Sequence, residues 1–232
     1  MSALCANFIQ GLVMRATKLN TCGAPVGGAS GQVVSKGFVS VELKLDEDKG
    51  SAIAPVLADG TRLYYYTTPK NLNKITVSAE FCQVDPDLFN LITGAPLVLD
   101  DAVSPKSIGF TTDSASYATA NFALEIWTNL SDGGCTQANG RKWGYYLLPW
   151  VALGSVDRPK IENNALNFGL ADAITKSGNA WGTGPYNIQL SKTGVASPLF
   201  SPLSTTAHDL LMTTNLTPPT PVCGYQSVTL PT

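Results

Sequence analysis

Residues 75–94 read ITVSAEFCQVDPDLFNLITG and contain both kinds of element that this sequence predicts. From 75 to 81 the side chains alternate between apolar and polar, which is the pattern of a half-buried strand. Asp85 then occupies the position of a helix N-cap, with Pro86 first in the helix and Gly94 just beyond its end. We therefore expect a strand followed by one short helix, whose apolar stripe packs across an open face or end of the sheets.

Segments of the same alternating kind recur along the chain, so the sequence predicts a mostly β protein with a single clear helix. They are residues 39–45, 122–126, 166–170 and 186–190. Residues 145–153 are apolar throughout, which is typical of a strand buried on both faces. Pro149 lies within them and has no amide N–H to donate, so it predicts a bulge or a sheet edge there.

The composition excludes several classes of protein. The chain has 232 residues, which allows one large domain or two small ones, and only 14% of them are charged, with a net charge of -2. An average globular protein carries about 25% charged residues, so something other than charge must cover this surface. No apolar run approaches the roughly 18 residues of a membrane helix. No Lys/Arg cluster is present to grip the phosphates of a nucleic acid.

The cysteines and the N-terminal residues indicate the compartment. Five cysteines lie far apart, without paired spacing, which favours reduced buried thiols over a disulfide framework or a zinc site. These are Cys5, Cys22, Cys82, Cys135 and Cys223. Residues 1–19 lack a basic region ahead of the apolar run 8–14, so no secretory signal is expected.

Composition divides the chain into three regions: an N-terminal arm or flexible segment over 1–31, a β domain over 32–194, and a Pro-rich C-terminal arm over 195–232. The last region holds six of the 15 prolines and one formally charged residue, Asp209. We expect it to form no regular sheet, and either to lie on a neighbouring subunit as an extended arm or to be disordered. Within the β domain, 46–61 is a polar stretch too long for a hairpin turn, and such loops are usually functional or disordered.

No residue pattern predicts a catalytic, cofactor-binding or metal-binding site. His208 is the only histidine and lies in the Pro-rich region, where a general base is not held rigidly. Neighbouring acids occur in several places, but spacing alone does not make them an acid/base pair. Asp85 is accounted for as a helix cap, and 46–50 begins like a calcium loop but lacks the later glutamate. We therefore expect neither an enzyme nor a cofactor.

The aromatic residues form groups that are more typical of core packing than of a ligand site. The groups are Tyr64 to Tyr66, Trp143 to Tyr146, Trp150, and Trp181 with Tyr186. An alternative is a carbohydrate-binding β-sandwich that stacks sugars on exposed rings. Its candidate rings are Trp143, Tyr145, Trp150 or Trp181. A protein interface is a further use, since Trp and Tyr are enriched there.

Four segments in order resemble the major tail proteins of long-tailed actinobacterial bacteriophages. They are residues 84–94 (VDPDLFNLITG), 144–150 (GYYLLPW), the Asn-rich strand 161–170 and 181–187 (WGTGPYN). The resemblance covers half of the chain, from 75 to 190, and is carried by the order of the segments.

The resemblance implies a fold and an assembly. The fold would be two packed antiparallel sheets, as a sandwich or partial barrel, with the short helix near 85–93 beside them and extended terminal arms. Six copies would close into a ring, and stacked rings would form the tail tube through which DNA passes. A long loop between early strands would reach the adjacent ring, and 46–61 is in the matching position. Other implied partners are tape measure and terminator proteins, and the implied location is the virion tail, assembled in the host cytoplasm.

The composition agrees with this role. Subunits whose sides are buried against copies can be poor in charge, because interface cores are charge-depleted. A neutral to acidic wall avoids the phosphate contacts that would hold DNA in a tube, and Asp100, Asp101 and Asp113 are candidates for such a wall. Composition does not distinguish a tube subunit from a tail terminator or a capsid decoration protein. No membrane anchoring is expected.

Overall fold

The computed structural model describes residues 6–131, 142–163 and 165–230. Within these ranges the chain has sixteen strands and one helix. In chain order they are β1 (Asn7–Lys18), β2 (Gly28–Ser35), β3 (Phe38–Asp48), β4 (Ala52–Ile53), β5 (Tyr66–Thr67), β6 (Asn71–Phe81), α1 (Pro86–Thr93), β7 (Leu97–Leu99), β8 (Ser107–Phe110), β9 (Asn121–Ser131), β10 (Trp143–Ala152), β11 (Ser155–Asp157), β12 (Phe168–Thr175), β13 (Gln189–Leu190), β14 (Ala196–Ser197), β15 (Leu210–Thr214) and β16 (Val222–Val228).

Ten of these strands form one antiparallel sheet, so the predicted mostly β class with a short helix is confirmed. Along the sheet the order is β16-β2-β1-β9-β10-β12-β6-β3, and β11 pairs with β12. Strand β10 has β9 on one side, while on its other side the first half pairs with β15 and the end pairs with β12. The other pairs, β4 with β5, β7 with β8 and β13 with β14, are short antiparallel ladders.

The larger core brings distant parts of the sheet together around α1. Leu88 and Phe89 of the helix are fully buried, and they share this core with Met14 of β1 and Val77 of β6. Because β1 and β6 lie four strands apart in the sheet order, the sheet must curve back over the helix to bring both against it. This arrangement is consistent with the expected sandwich. Full burial of such side chains contributes roughly 1.5–3 kcal/mol each.

A second core covers the opposite face of the central strands. Trp127 and Tyr145 pack there with Trp181, which belongs to the long segment after β12. Strand β9 is consequently buried on both faces, and even Glu125 is fully buried. Residues 122–126 were predicted to form a strand with one buried and one exposed face. The strand is present, but the prediction of an exposed face is wrong, because the second core covers that face.

The predicted helix is confirmed at both of its ends. The Asp85 side chain accepts a hydrogen bond from the backbone N–H of Asp87 (3.0 Å), and Pro86 stands first in the helix. Gly94 ends the helix with φ = 83°, in the left-handed region that favours glycine. A Cβ there would lie 2.5 Å from Oγ1 of Thr119, so both the backbone conformation and the available space require glycine.

Most of the other predicted strands are present. Those found in the expected places are 39–45 in β3, 75–81 in β6 and 145–152 in β10, which ends one residue before the predicted end at Leu153. The bulge expected at Pro149 occurs as a register shift between Leu148 and Val151 in the β9–β10 ladder. The strand expected at 166–170 is β12, which begins two residues later and continues to Thr175.

The strand predicted at 186–190 is mostly wrong. Only Gln189–Leu190 is a strand, and the chain enters it from turns in which Gly182 and Gly184 have positive φ (62° and 83°). Ile188 is buried in the second core although it belongs to no strand. The burial of Ile188 therefore comes from packing on the sheet, and not from pairing within it.

Residues 1–31, which we expected to form an arm, contain strand β1 and the first half of strand β2 instead. Strand β1 lies between β2 and β9 in the sheet, and its Met14 is almost wholly buried. The Gly-rich part of this region leads directly into β2. Because β1 contains the polar residues Arg15 and Thr17, its sequence resembles that of a surface segment. The structure nevertheless buries both side chains.

Residues 195–232 also differ from the expectation that they form no regular sheet. Strands β14, β15 and β16 lie in this region and pair within the same chain. The prolines fall outside these three strands, so the strands keep the N–H groups that a ladder needs. Residues 215–221, here called the strap, join β15 to β16 without strand structure.

The thiols differ from the prediction in exposure. Cys22, Cys82 and Cys223 are free, as expected, but they are exposed and not buried. Cys5 and Cys135 lie outside the described residues.

Candidate assembly surface

An extended β-hairpin continues beyond the core at one edge of the sheet. Strands β3 and β6 pair along their whole length. Residues 49–70, here called the projection, continue this hairpin through the β4–β5 pair and a bridge between Val56 and Arg62. The bounds predicted for the loop, 46–61, are therefore wrong at both ends. The first three of these residues belong to β3, and the projection continues to residue 70.

Hydrogen bonds hold the tip of the projection in one shape. The Leu63 N–H donates to the Pro55 carbonyl (2.9 Å). The Leu57 N–H donates to the Thr61 carbonyl (2.8 Å). The hydroxyl and the N–H of Thr61 both donate to the Asp59 carboxylate, which lowers the pKa of Asp59. The projection is therefore a defined hairpin and not an irregular loop.

The projection exposes many large apolar and aromatic side chains. Seven of them, each about half exposed or more, lie within 14 residues. They are Ile53, Val56, Leu57, Leu63, Tyr64, Tyr65 and Tyr66. Large exposed apolar patches mark interaction sites on soluble proteins. The Arg62 guanidinium lies 5.5 Å from the ring centre of Tyr65, and these two residue types are enriched at interface hot spots.

Charge is concentrated on the same hairpin. Residues 38–81, which form this hairpin, hold eleven of the 32 charged side chains in about a fifth of the chain. Exposed ion pairs join Lys70 to Glu47 (3.5 Å) and Lys74 to Asp46 (3.7 Å) across the ladder. The rest of the chain is thus even poorer in charge than its average, and the hairpin combines apolar groups with both signs of charge.

Strand β3 also offers an open edge. It stands last in the sheet order, so in the part of the chain that the structure describes one of its edges has no strand partner. The strand is 11 residues long, and Val39 and Leu45 are exposed on it. A long unpaired edge of this kind can pair with another chain.

The acids and the histidine considered in the sequence are spread over separate parts of the fold. His208 is buried, and its Nδ1 bonds to the Thr175 hydroxyl (2.7 Å). Asp100 and Asp101 lie in the exposed turn between β7 and β8, and Asp113 lies in a separate exposed stretch after β8. Among residues 6–131, 142–163 and 165–230, no group of three or more His, Cys, Asp or Glu could hold a metal ion.

The rings considered as a sugar platform pack into the protein. Tyr145 and Trp181 are almost wholly buried, while Trp143 and Trp150 are half-buried against the second core. Core packing is therefore confirmed for these four rings. The same expectation is wrong for Tyr64 to Tyr66, which face solvent on the projection.

A buried ion pair that sequence reasoning missed lies under the second core. The Arg15 guanidinium donates to both oxygens of the Glu125 carboxylate, at 2.6 and 2.7 Å. The Tyr145 hydroxyl donates to the same carboxylate (2.6 Å), and the guanidinium carbon lies 3.4 Å from the ring centre of Tyr186.

The electrostatics of this cluster keep Arg15 charged and Tyr145 neutral. Desolvation acts to lower the pKa of Arg15, but the charge and hydrogen bonds of Glu125 outweigh it and raise that pKa. Burial, with the charge of Glu125, raises the pKa of Tyr145 well above its usual value. The Glu125 carboxylate is thus satisfied by the Arg15 guanidinium and the Tyr145 hydroxyl, as a buried charge in a protein core requires.

No protein-family model matches the chain, and no curated protein is similar to it. Within the described ranges, the structure contains no helix long and apolar enough to cross a membrane. The exposed hairpin and the open edge of β3 are the features from which a function can be argued.

Proposed function

We propose that this chain is a self-assembling structural protein, the repeating subunit of a phage tail tube. The observation that carries the proposal is the projection, which holds seven large apolar side chains in solvent. Burying one such side chain contributes roughly 1.5–3 kcal/mol, so a partner that covers the projection gains a large binding energy. In this role the partner is a copy of the chain in the adjacent ring.

The open edge of β3 supports ring formation. Its free backbone groups run over 11 residues, and neighbouring subunits around a ring can continue the sheet there through main-chain hydrogen bonds. Heterologous contacts of this kind close into rings when the rotation between subunits allows it.

The segments that resemble phage tail proteins also support the proposal by their placement. Residues 84–94 form the helix beside the sheet, and 144–150 lie in the central strand β10. This is the arrangement of helix and sheet that the resemblance implies. The chain does no chemistry in this role: it binds copies of itself, meets tape measure and terminator proteins, and forms a wall of low net charge that does not hold DNA.

Negative-stain microscopy of the concentrated protein tests the proposal. We expect rings or tubes with six-fold end views. Replacing 52–67 with a two-residue Asn-Gly turn keeps the β3–β6 ladder, so this variant should unfold at the same denaturant concentration as the unaltered chain and form no stacked tubes. Val103→Ser is the matched control, because this apolar residue is fully exposed in a different turn and should not affect stacking.

Two outcomes separate the parts of the proposal. Monodisperse monomers of the unaltered chain at every salt concentration would contradict self-assembly. Tubes formed by the shortened variant would contradict the role of the projection and would leave the structural role in place.

A further inference from the structure

We propose that the open edge of β3 pairs with the same edge of a second copy of this chain, giving a two-fold dimer whose strands run antiparallel about Leu43. A second copy is the partner because the charges and the apolar residues of this strand complement themselves in that arrangement. The dimer follows from β3 alone, whereas its role in holding back ring formation rests on the proposed function.

The part of β3 that can pair regularly has Leu43 at its centre. Along its ladder with β6, the strand keeps a regular register from Ser40 to Asp46. Irregularities interrupt the ladder on either side, after Phe38 and before Glu47. In such an edge strand, every second residue directs its N–H and C=O groups away from the existing ladder. Seven residues are therefore available for regular pairing, and Leu43 is the middle one.

Two charges in this regular part, Glu42 and Lys44, have no ionic partner in the part of the chain that the structure describes. Both side chains are exposed, and each lies opposite a hydroxyl residue of β6. The next acid on the same face, Asp46, differs because it already pairs with Lys74 across the ladder (3.7 Å). Glu42 and Lys44 are thus the charges that β3 can offer to another chain.

Antiparallel pairing centred on Leu43 gives each of these charges a partner. Glu42 of each copy lies opposite Lys44 of the other, so two ion pairs form on the outer face of the joined sheet. Ser40 lies opposite Asp46 of the other copy, where its hydroxyl can donate to the carboxylate. Cross-strand pairs of opposite charge stabilise a ladder, whereas like charges directly opposite each other destabilise it.

The inner face of the strand matches in the same register. Leu43 lies opposite Leu43 of the second copy, and Val41 lies opposite Leu45. In the single chain, Val41 and Leu43 are half-buried against the larger core, while Leu45 is exposed. Pairing would therefore continue the apolar layer from one copy into the next and cover Leu45.

Other registers and the other end of the sheet fit less well. A shift of two residues places either Glu42 or Lys44 opposite the same residue of the second copy. A shift of one residue turns the charges toward the apolar layer of the other chain. Strand β16, at the far end of the sheet order, has no charged side chain within 222–228, and two of its N–H groups already donate to carboxylates at the start of α1.

The dimer and the ring compete for one edge. An edge pairs with one strand at a time, so a subunit in the dimer has no free β3 edge for a ring neighbour. One short strand pair is a small contact beside the roughly 1,200–2,000 Å² of stable interfaces, so we expect the dimer to dissociate on dilution. The pairing thus protects a sticky edge before assembly and still releases it.

Charge reversal tests the pairing by sedimentation equilibrium of protein too dilute to form rings. Because of the two-fold symmetry, Glu42→Lys makes both ion pairs repulsive at once and should weaken the dimer at least about tenfold. Lys44→Glu should have the same effect. An equal mixture of the two variants should recover dimers, because one chain then presents two lysines and the other two glutamates.

Two further measurements exclude simpler explanations of a weakened dimer. The unfolding midpoint of each variant should stay unchanged, because both positions are exposed and unpaired in the single chain. In about 1 M salt the variants and the unaltered chain should dimerise alike, since charges are then screened within a few ångströms. A dimer that charge reversal leaves intact, or a mixture that recovers nothing, would overturn the proposal.

Cross-linking tests the register. In a chain whose five cysteines are changed to serine, Glu42→Cys and Lys44→Cys are made separately, mixed in equal amounts and oxidised. The two positions are directly opposite and within disulfide reach, whereas identical positions are diagonal neighbours about 7–8 Å apart. The mixture should therefore give several-fold more two-chain product than either variant alone. Equal yields from all three samples would contradict pairing about Leu43.

Microscopy of the cross-linked mixture separates this proposal from the proposed function. The oxidised dimer should form no rings, and reduction should restore them. Rings formed by the oxidised dimer would contradict the competition for the edge. Rings or tubes from a chain that never dimerises would leave the tail-tube role standing and overturn this proposal. Dimers that give no rings or tubes under any condition would support the pairing and contradict the tail-tube role.

Discussion

The two halves of the β3–β6 hairpin share one ladder but differ in their surroundings. In the inner half, Val77 and Phe81 are fully buried in the larger core. In the outer half and the projection, most side chains face solvent. A two-stranded hairpin alone in water is marginally stable, so the outer half depends on the inner half for its shape. Backbone pairing therefore determines the shape of the whole hairpin, whereas the buried side chains of the inner half supply its stability.

The largest effect is expected in the inner half, from Phe81→Ala. This change should lower the free energy of unfolding by about 3–5 kcal/mol, because it leaves a cavity where the ring meets Phe89 at a centroid distance of 5.5 Å. Urea unfolding followed by tryptophan fluorescence measures it. A loss under about 1 kcal/mol, which is typical of surface positions, would show that the inner half does not carry the stability.

The boundary between the two halves can be located with one pair of ladder partners, Ile75 and Leu45. Ile75 is 2% exposed and Leu45 is 58% exposed. Ile75→Val should cost about 0.5–1.5 kcal/mol, whereas Leu45→Ala, which removes more atoms, should change the free energy of unfolding by less than about 0.5 kcal/mol. Denaturant unfolding curves of the two variants, measured side by side, show which variant loses more free energy of unfolding. The reverse order would mean that the monomer covers the outer half.

A smaller effect is expected from the exposed ion pair Lys70–Glu47, at 3.5 Å. Lys70→Met should cost about 0.2–0.5 kcal/mol at low salt, because both partners are hydrated. The difference should vanish in about 1 M salt, where charges are screened within a few ångströms. A double-mutant cycle with Glu47→Gln isolates the pair, and a coupling energy that survives high salt would contradict its exposure.

The smallest effect on stability is expected from replacing Tyr64, Tyr65 and Tyr66 together with serine. The unfolding midpoint should not move measurably, because all three rings are exposed. Assembly should instead require at least about tenfold higher protein concentration, since losing 1.4 kcal/mol of interface energy has that effect. Light scattering against concentration measures it. Tyr117→Ser, an exposed tyrosine outside the hairpin, is the control and should assemble normally.

Local signals in the sequence were enough to predict some elements fully. The helix and its ends follow from Asp85, Pro86 and Gly94, which act within one turn of themselves. The strand at 75–81 follows from its alternation, because one face packs on the core and the other does not. Elements whose polar residues are buried could not be predicted in this way. Strand β1 is the main example, since the partner of Arg15 lies 110 residues further along the chain.

The candidate surface was predicted in part. A long loop after the strand at 39–45 was predicted at 46–61, which overlaps most of the projection at 49–70. Its second strand was missed because Tyr64 to Tyr66 resemble core residues, and most aromatic residues do pack inside. Exposure of these rings depends on how far the hairpin extends past the core, which no local pattern encodes. The complementary charges of Arg15 and Glu125 at matching strand positions are a signal that could have revealed the β1–β9 pairing.

The buried pair of Arg15 and Glu125 also specifies the register between β1 and β9. The two residues are direct ladder partners, and side chains on a strand alternate between its faces. A slip of one residue would turn one charge toward the apolar layer where Met14 and Leu124 pack, at a cost of several kcal/mol. The native alignment is the one that places both charges on the same face and satisfies each with the other.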